Sequence, residues 1–289
     1  MEAVAGPVAL PRSLDETFAA LRATPEATLL AGGTDLMVAV NAGAHHPGTV
    51  ISLTGVPELR GWRRDGDDLV LGACLTYSEI EHGEVAALVP ALGQAARTVG
   101  SPQIRNAATL GGNLGTASPA GDTLPVLAAM DATVQIGGPG GSRSMPVLDF
   151  VTGVKRTALE PGELVTAVRL PVLRGPQEFL KVGTRNAMVI SVVMAALVVD
   201  LDGHSVRLGL GSVAPVPVRA REAEAFVAGE VDWETTATGP RIADQAVFAR
   251  FGELAADATA PIDDHRSTAD YRRHAVAVCA RRALERALG

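Results

Sequence analysis

The chain has 289 residues, 47% of them hydrophobic, with two cysteines and a formal net charge of −7. This balance speaks against nucleic-acid binding, which needs a basic surface, and no apolar run reaches the roughly 18 residues of a membrane span. Cys74 and Cys279 cannot supply the four ligands of an iron–sulfur cluster, do not form a C-x-x-C pair, and read as buried small side chains in a reducing cytoplasm. Met1–Leu10 lacks the basic start and long apolar stretch of a secretory signal. Ser13-Leu14-Asp15-Glu16 is a capping box, and Leu14, Phe18 and Leu21 follow at helical spacing. Thr24-Pro25 ends that helix. Thr28–Leu30 reads as a strand, Leu36–Val40 as a short helix and Thr49–Leu53 as another strand.

Gly55–Asp68 is polar and turn-rich and marks a boundary. Beyond it, Leu69–Ala73 is a strand, Ser78-Glu79-Ile80-Glu81 reads as a second capping box, and Leu88–Val99 as a helix with Pro90 in its first turn. Thr133–Ile136 and Arg143–Val147 flank a hairpin turn over Gly137–Ser142, which lacks the Lys-Ser/Thr of a P-loop. Leu164–Leu170 is a strand closed by Pro171, and Leu173–Glu178 a linker. Strands Ser191–Asp200 and Val206–Leu210 surround a turn at Asp202-Gly203. Helices follow over Arg219–Val227, Pro240–Asp257 and Thr268–Leu288. The expected units are 1–55, 56–174 and 175–289, the last an α+β domain of strands followed by helices.

Two glycine-rich stretches carry the chemistry. Ala31-Gly32-Gly33-Thr34-Asp35 follows a strand, and Thr109-Leu110-Gly111-Gly112-Asn113 runs on to Gly115 and Pro119-Ala120-Gly121-Asp122. Glycines let a backbone approach a ligand and aim several N–H groups at one anion. Two such loops, both free of bulky side chains, point to a cleft for a large phosphate-bearing ligand. Asp122-Thr123 also suits the start of the helix that follows. No nucleophile–base arrangement stands out, so no catalytic residue is assigned. His45-His46 reads as a solvated loop with no third metal ligand at useful spacing, and Asp263-Asp264-His265 as a polar approach to the last helix.

Several ordered motifs give the chain a family resemblance. They are Ala31–Asp35, Ser101-Pro102-Gln103-Ile104-Arg105-Asn106, Thr109–Asn113, Ser118–Asp122, Lys181-Val182-Gly183-Thr184-Arg185, Gly211-Ser212-Val213-Ala214-Pro215 and Tyr271-Arg272-Arg273. With them the whole chain resembles the FAD-binding medium subunit of the molybdenum hydroxylases, the group of bacterial xanthine and carbon monoxide dehydrogenases. The resemblance implies an α+β fold. Two subdomains bind FAD between them, as in flavoproteins of the vanillyl-alcohol oxidase (PCMH) type, and a C-terminal α+β domain follows.

The resemblance also implies roles. Ala31, Gly32, Gly33, Thr34 and Asp35 wrap the FAD pyrophosphate, and Thr109, Leu110, Gly111, Gly112 and Asn113 form the second half of the cradle. Asp122 accepts hydrogen bonds from sugar or ribityl hydroxyls. Lys181 lies by the carbonyl edge of the isoalloxazine ring, and Ile190, with Val189 as its alternative, lies over the ring. FAD is held non-covalently, since neither loop contains His or Cys. Electrons come from a small subunit with [2Fe–2S] clusters, fed by a large molybdenum-cofactor subunit, and leave to NAD or another acceptor. The implied assembly is a dimer of heterotrimers in the cytoplasm. The stretch Lys181–Ser191 looks closer to purine (xanthine) dehydrogenase versions than to carbon monoxide versions. Two alternatives are a stand-alone FAD-dependent reductase, against which no extra substrate domain is found, and a scaffold subunit with a decayed flavin site, against which both glycine loops and Asp122 stand intact.

Overall fold

The short strands Val8–Ala9 and Thr28–Leu30 flank Val50–Ser52 in a three-stranded parallel sheet. The structure is a computed structural model that describes residues 6–234 and 239–289, so residues 1–5 of the N-terminal stretch lie outside it. Ser13 caps the helix Leu14–Ala23, its hydroxyl accepting the Glu16 N–H at 3.1 Å, while Glu16 reaches back to the N–H of Arg12. Thr28–Leu30 ends at the first glycine loop, and the helix Leu36–Asn41 follows.

The second sheet is five-stranded and antiparallel, in the order Trp62–Asp65, Asp68–Gly72, Leu164–Pro171, Thr133–Gly138, Gly141–Pro146. The supposed boundary at Gly55–Asp68 is therefore structured. It holds a 3₁₀ turn at Pro57–Leu59, with Leu59 fully buried, and the edge strand Trp62–Asp65. Its polar residues face solvent on that edge, which hid the strand. The expected hairpin is present, turning at Pro139-Gly140.

The second capping box lies two residues earlier than expected. Thr76 Oγ1 accepts the Glu79 N–H at 3.3 Å, and Glu79 accepts the Thr76 N–H at 2.8 Å. Ser78 and Glu81 are occupied elsewhere, by Asn106 at 2.5 Å and Arg105 at 2.8 Å. Likewise Leu88–Val99 is two helices, Glu84–Leu88 and Pro90–Thr98, because Pro90 opens the second one.

The third sheet is an antiparallel meander of Gln177–Gly183, Ser191–Asp200, Ser205–Gly211 and Val218–Arg219. Its first strand takes over the end of the expected linker. All ten residues of Ser191–Asp200 are buried. Met194, Ala196 and Val198 join the core of the preceding sheet and helices, whereas Ala195, Leu197 and Val199 join a second core under the C-terminal helices. A strand covered on both faces needs apolar residues throughout, which accounts for its unbroken apolar run. The helices Arg221–Ala228, Gln245–Asp257 and Ala269–Leu288 close that second core. Arg219 is not helical. It is buried, with Glu224 at 2.5 Å, Asp131 at 2.6 Å and the Ala128 carbonyl at 3.0 Å, and so joins the third sheet to the helix Leu124–Ala129.

Candidate functional site

The first glycine loop is open. Gly33 has φ +71°, a conformation that side-chain-bearing residues rarely adopt, and a Cβ on Gly32 would lie 1.9 Å from the Ala107 carbonyl oxygen. The loop is thus bent sharply and pressed on the end of the helix Pro102–Ala107. In this bend the backbone N–H groups of Gly32, Gly33, Thr34 and Asp35 donate to no acceptor among the described residues. Asp35 makes no side-chain cap to the helix behind it. Uncommitted donors converging from one turn form an anion-binding concavity.

The second stretch is a correction. Thr109–Asn113 is not a loop but the start of a helix, Leu110–Thr116. Thr109 Oγ1 accepts the Gly112 N–H at 3.0 Å, Leu110 N–H donates to Leu75, Gly111 N–H to Ala73 and Asn113 N–H to Thr109. The N–H groups of Leu110, Gly111, Gly112 and Asn113 are thus used, whereas the Thr109 N–H, on the groove wall, donates to no acceptor among the described residues. Leu110 is fully buried, and a Cβ on Gly111 would lie 2.6 Å from the Ala73 Cβ, so both face the core. Gly112 and Asn113 face the other way, toward the first loop.

Between the two lies a cleft of about 270 Å³, walled by Ala31–Asp35 on one side and by Thr109, Gly112 and Asn113 on the other. It continues in both directions. One extension, about 350 Å³, shares Ala31, Gly112 and Thr116 with it and runs to Cys74, Leu159 and Val165. The other, about 450 Å³, shares Asp35, Ser118 and Ala120 and runs to Ile190, Ser212 and Arg272. Adjoining through shared lining residues, the three form a groove whose first two parts lie along the small-residue face of the helix Leu110–Thr116. It suits an extended ligand with an anionic middle.

Asp122 and Lys181 meet behind this wall. Lys181 Nζ lies 2.5 Å from Asp122 Oδ2 and donates to the Thr98 carbonyl at 3.1 Å, and the Thr98 hydroxyl donates to the same carboxylate oxygen at 3.0 Å. Their side chains are 5% and 10% exposed. Burial pushes the Asp122 carboxyl up from its ordinary value, against the opposing pull of the Lys181 ammonium. Thr123, not Asp122, occupies the cap position of the next helix, and its hydroxyl donates to Asn113 at 2.7 Å. The Lys181 charge is therefore matched by a carboxylate and stands off the groove wall rather than free within it. Ile190 differs from a core residue in the opposite sense, being 52% exposed at the groove's end, while Val189 packs on Gly183.

Sequence reasoning missed Tyr77 and Thr116 on the groove wall, and Ile104 entered only within a quoted motif. Tyr77 is placed by the bridge between Thr76 and Thr109, a long-range pairing with no local signal. Arg272 was only part of a quoted motif. It is buried, donating to the carbonyls of Val192 at 2.6 Å and Ser212 at 3.0 Å and to Asp264 at 2.8 Å. Burial pushes the Asp264 carboxyl up, but the Arg266 N–H, the Arg272 guanidinium and the Ser267 N–H hold it well below the usual carboxylate range. Asp263 accepts the Ala269 N–H, so this cluster does lead into the last helix.

A small-residue groove with open backbone donors at its middle, in this fold, is what the comparisons with known proteins place in a class. Residues 3–173 match the family described as the FAD binding domain in molybdopterin dehydrogenase, and residues 178–287 match the CO dehydrogenase flavoprotein C-terminal domain. The chain belongs to the FAD-binding medium-subunit family of the molybdenum hydroxylases. It is 32% identical over 283 residues to the carbon monoxide dehydrogenase medium chain of Afipia carboxidovorans, spanning 96% of this chain and 94% of that one. It is 34% identical over 231 residues to the nicotinate dehydrogenase FAD-subunit of Eubacterium barkeri, spanning 76% and 78%. The crystal structure of quinoline 2-oxidoreductase from Pseudomonas putida 86 superposes with a TM-score of 0.89 at 27% identity, over 99% of this chain and 98% of that chain. The α+β fold with an FAD-binding domain is thereby established. Among the described residues, no helix is long and apolar enough to cross a membrane.

Proposed function

We propose that this chain holds FAD non-covalently in the groove and relays electrons from an iron–sulfur partner to a soluble acceptor. The observation that carries the reading is the set of uncommitted N–H groups at Gly32–Asp35, placed midway along the groove. They suit a diphosphate, whose oxygens only accept. Ala31 and the small-residue face at Gly112 and Asn113 leave room for it. Ile190 supplies an apolar surface for the ring at one end. Asp122 supports hydroxyl recognition, and Lys181 acts by fixing the orientation of Asp122. Bound FAD would supply the change between two-electron and one-electron chemistry.

Non-covalent binding is supported by Cys74, the cysteine on the groove wall. Burial pushes its thiol up to about 11, and Leu53 takes its weak hydrogen bond. The thiol therefore stays protonated and is a poor nucleophile.

In this reading a small [2Fe–2S] subunit and a large molybdenum-cofactor subunit join the chain as a dimer of heterotrimers in the cytoplasm. The chain is divided into two FAD-binding subdomains, 1–55 and 56–174, and a C-terminal domain, 175–289. NAD is the acceptor, and the Lys181–Ser191 stretch favours a purine such as xanthine as the substrate of the large subunit. The test is reconstitution of the full chain with FAD, followed by its visible spectrum. Stoichiometric flavin that is reduced only when a cluster-bearing partner is added is expected. A chain that takes up no flavin overturns the reading.

A further inference from the structure

The motif Ser101–Asn106 gives the groove wall only Ile104. Its helix, Pro102–Ala107, ends at the Ala107 carbonyl on which Gly32 is pressed. A Cβ on Gly32 would also lie 2.9 Å from the Ala108 Cα, so the first glycine loop has no slack on this side. What holds the helix therefore holds the loop.

Two side-chain ties fasten this helix to the helix Tyr77–His82. The Ser78 hydroxyl donates to Asn106 Oδ1 at 2.5 Å. The Arg105 guanidinium donates through Nε to Glu81 Oε2 at 2.8 Å, and through Nη1 to the Val99 and Gly100 carbonyls at 3.3 Å each. Arg105 thus braces its own helix, the left-handed turn at Gly100 before it and the neighbouring helix at once. That neighbour is itself anchored, by the capping box of Thr76 and Glu79 and by the Tyr77 N–H, which donates to the Ala108 carbonyl at 3.1 Å. The Arg105 and Glu81 side chains are 14% and 10% exposed, and neither residue lines any of the three parts of the groove. A buried ion pair gains little stability over apolar packing, while its directional bonds fix geometry.

We propose that Arg105 and Glu81 are positioning residues for the diphosphate. Their ion pair seats the helix Pro102–Ala107 so that its end acts as a stop for Gly32, and this keeps the N–H groups of Gly32–Asp35 converged. Neither side chain touches the ligand. The proposal rests on the FAD reading above.

The test uses the full chain, stripped of flavin, as wild type, Arg105→Met, Glu81→Gln and the double variant. Each is titrated calorimetrically with FAD and with ADP, at a temperature where it is folded. Arg105→Met removes a positive charge and Glu81→Gln a negative one. A direct field on a bound anion would move the two affinities in opposite directions, whereas a lost seat moves both downward. FAD affinity is expected to fall about tenfold in Arg105→Met, the worth of one hydrogen bond to a charged group. It falls about threefold in Glu81→Gln, whose amide oxygen still accepts a weaker bond. ADP carries the same diphosphate and loses as much as FAD. The double variant loses no more than Arg105→Met, since one pair is broken only once. If Arg105→Met strands Glu81 and does not fold, the double variant, which buries no charge, carries the same expected loss.

Opposite shifts in the two single variants would overturn the proposal, by showing that charge acts through space. So would wild-type affinities alongside a lower melting temperature, which would leave the pair a role in stability alone. A loss for FAD with none for ADP would overturn it as well, by placing the effect away from the diphosphate. A wild-type chain that takes up no FAD would instead sink the FAD reading itself, and the proposal with it.

Discussion

The two glycine stretches look alike in sequence and do opposite things. In Gly32–Asp35 the backbone turns through a left-handed residue, and its N–H groups are left for a ligand. In Thr109–Asn113 the chain continues as a capped helix, and all its N–H groups but that of Thr109 are spent within the protein. Glycine serves the first stretch by its backbone freedom and the second by its lack of a side chain. One provides donors and the other provides a smooth wall. A cradle for an extended cofactor needs both, and composition alone does not tell them apart.

The sharpest way to test this comparison is behind the second stretch. Lys181→Met leaves Asp122 as an unpaired buried carboxylate, and breaking a buried pair in this way costs about 3–5 kcal/mol. Folding of Asp122 raises its pKa. Its contribution is therefore present while it is protonated, below the unfolded value, and is lost as pH rises through the folded value. Removing the ammonium raises the folded value further. The stability deficit of Lys181→Met in urea titrations should widen as pH rises above the ordinary carboxylate range, and adding Asp122→Asn should recover much of it. A pH-independent deficit would place Lys181 in solvent.

Gly111→Val should come next. Its Cβ would meet Ala73 backbone and side-chain atoms at 2.6–2.9 Å. Overpacking against a rigid strand costs about 3 kcal/mol, read as a lower melting temperature with or without flavin. A variant with wild-type stability would mean that this glycine does not seat the helix.

Gly33→Val should act on the ligand more than on the fold. A β-branched residue in the left-handed region costs about 1–2 kcal/mol, and relief by local rearrangement would turn the N–H groups away. The expected result is a folded chain that purifies without FAD, with Gly33→Asn milder. If Gly33→Val keeps stoichiometric flavin, the first stretch is not the anion site.

The smallest effect is expected for Thr109→Val, which removes the helix cap. Loss of an N-cap costs about 1 kcal/mol. Because the substitution removes a side-chain acceptor and leaves the Thr109 N–H in place, FAD affinity should change less than fivefold by fluorescence titration, an effect of about 1 kcal/mol. A loss of binding as large as that of Gly33→Val would erase the distinction between the two stretches.

Much of this molecule was legible in its sequence where the cause is local. Ser13 caps its helix because a hydroxyl reaches an N–H within the first turn. Ser191–Asp200 is a strand covered on both faces, so its inner positions, Val192–Val199, are all apolar. Gly33 marked a bend because few other residues take its conformation.

What only the tertiary structure decided involves partners far apart in the chain. Glycines 111, 112 and 115 weaken a helix by their own propensity, so Thr109–Thr116 read as a loop. Contacts with Ala73 and Leu75 in the neighbouring strand region hold it helical. Asp122 and Lys181 are 59 residues apart, and Lys181 and Thr98 are 83 apart. No cap or periodicity links such positions. They meet because the strand Gln177–Gly183 packs against the helix Pro90–Thr98, and burial then forces each charge to find the other.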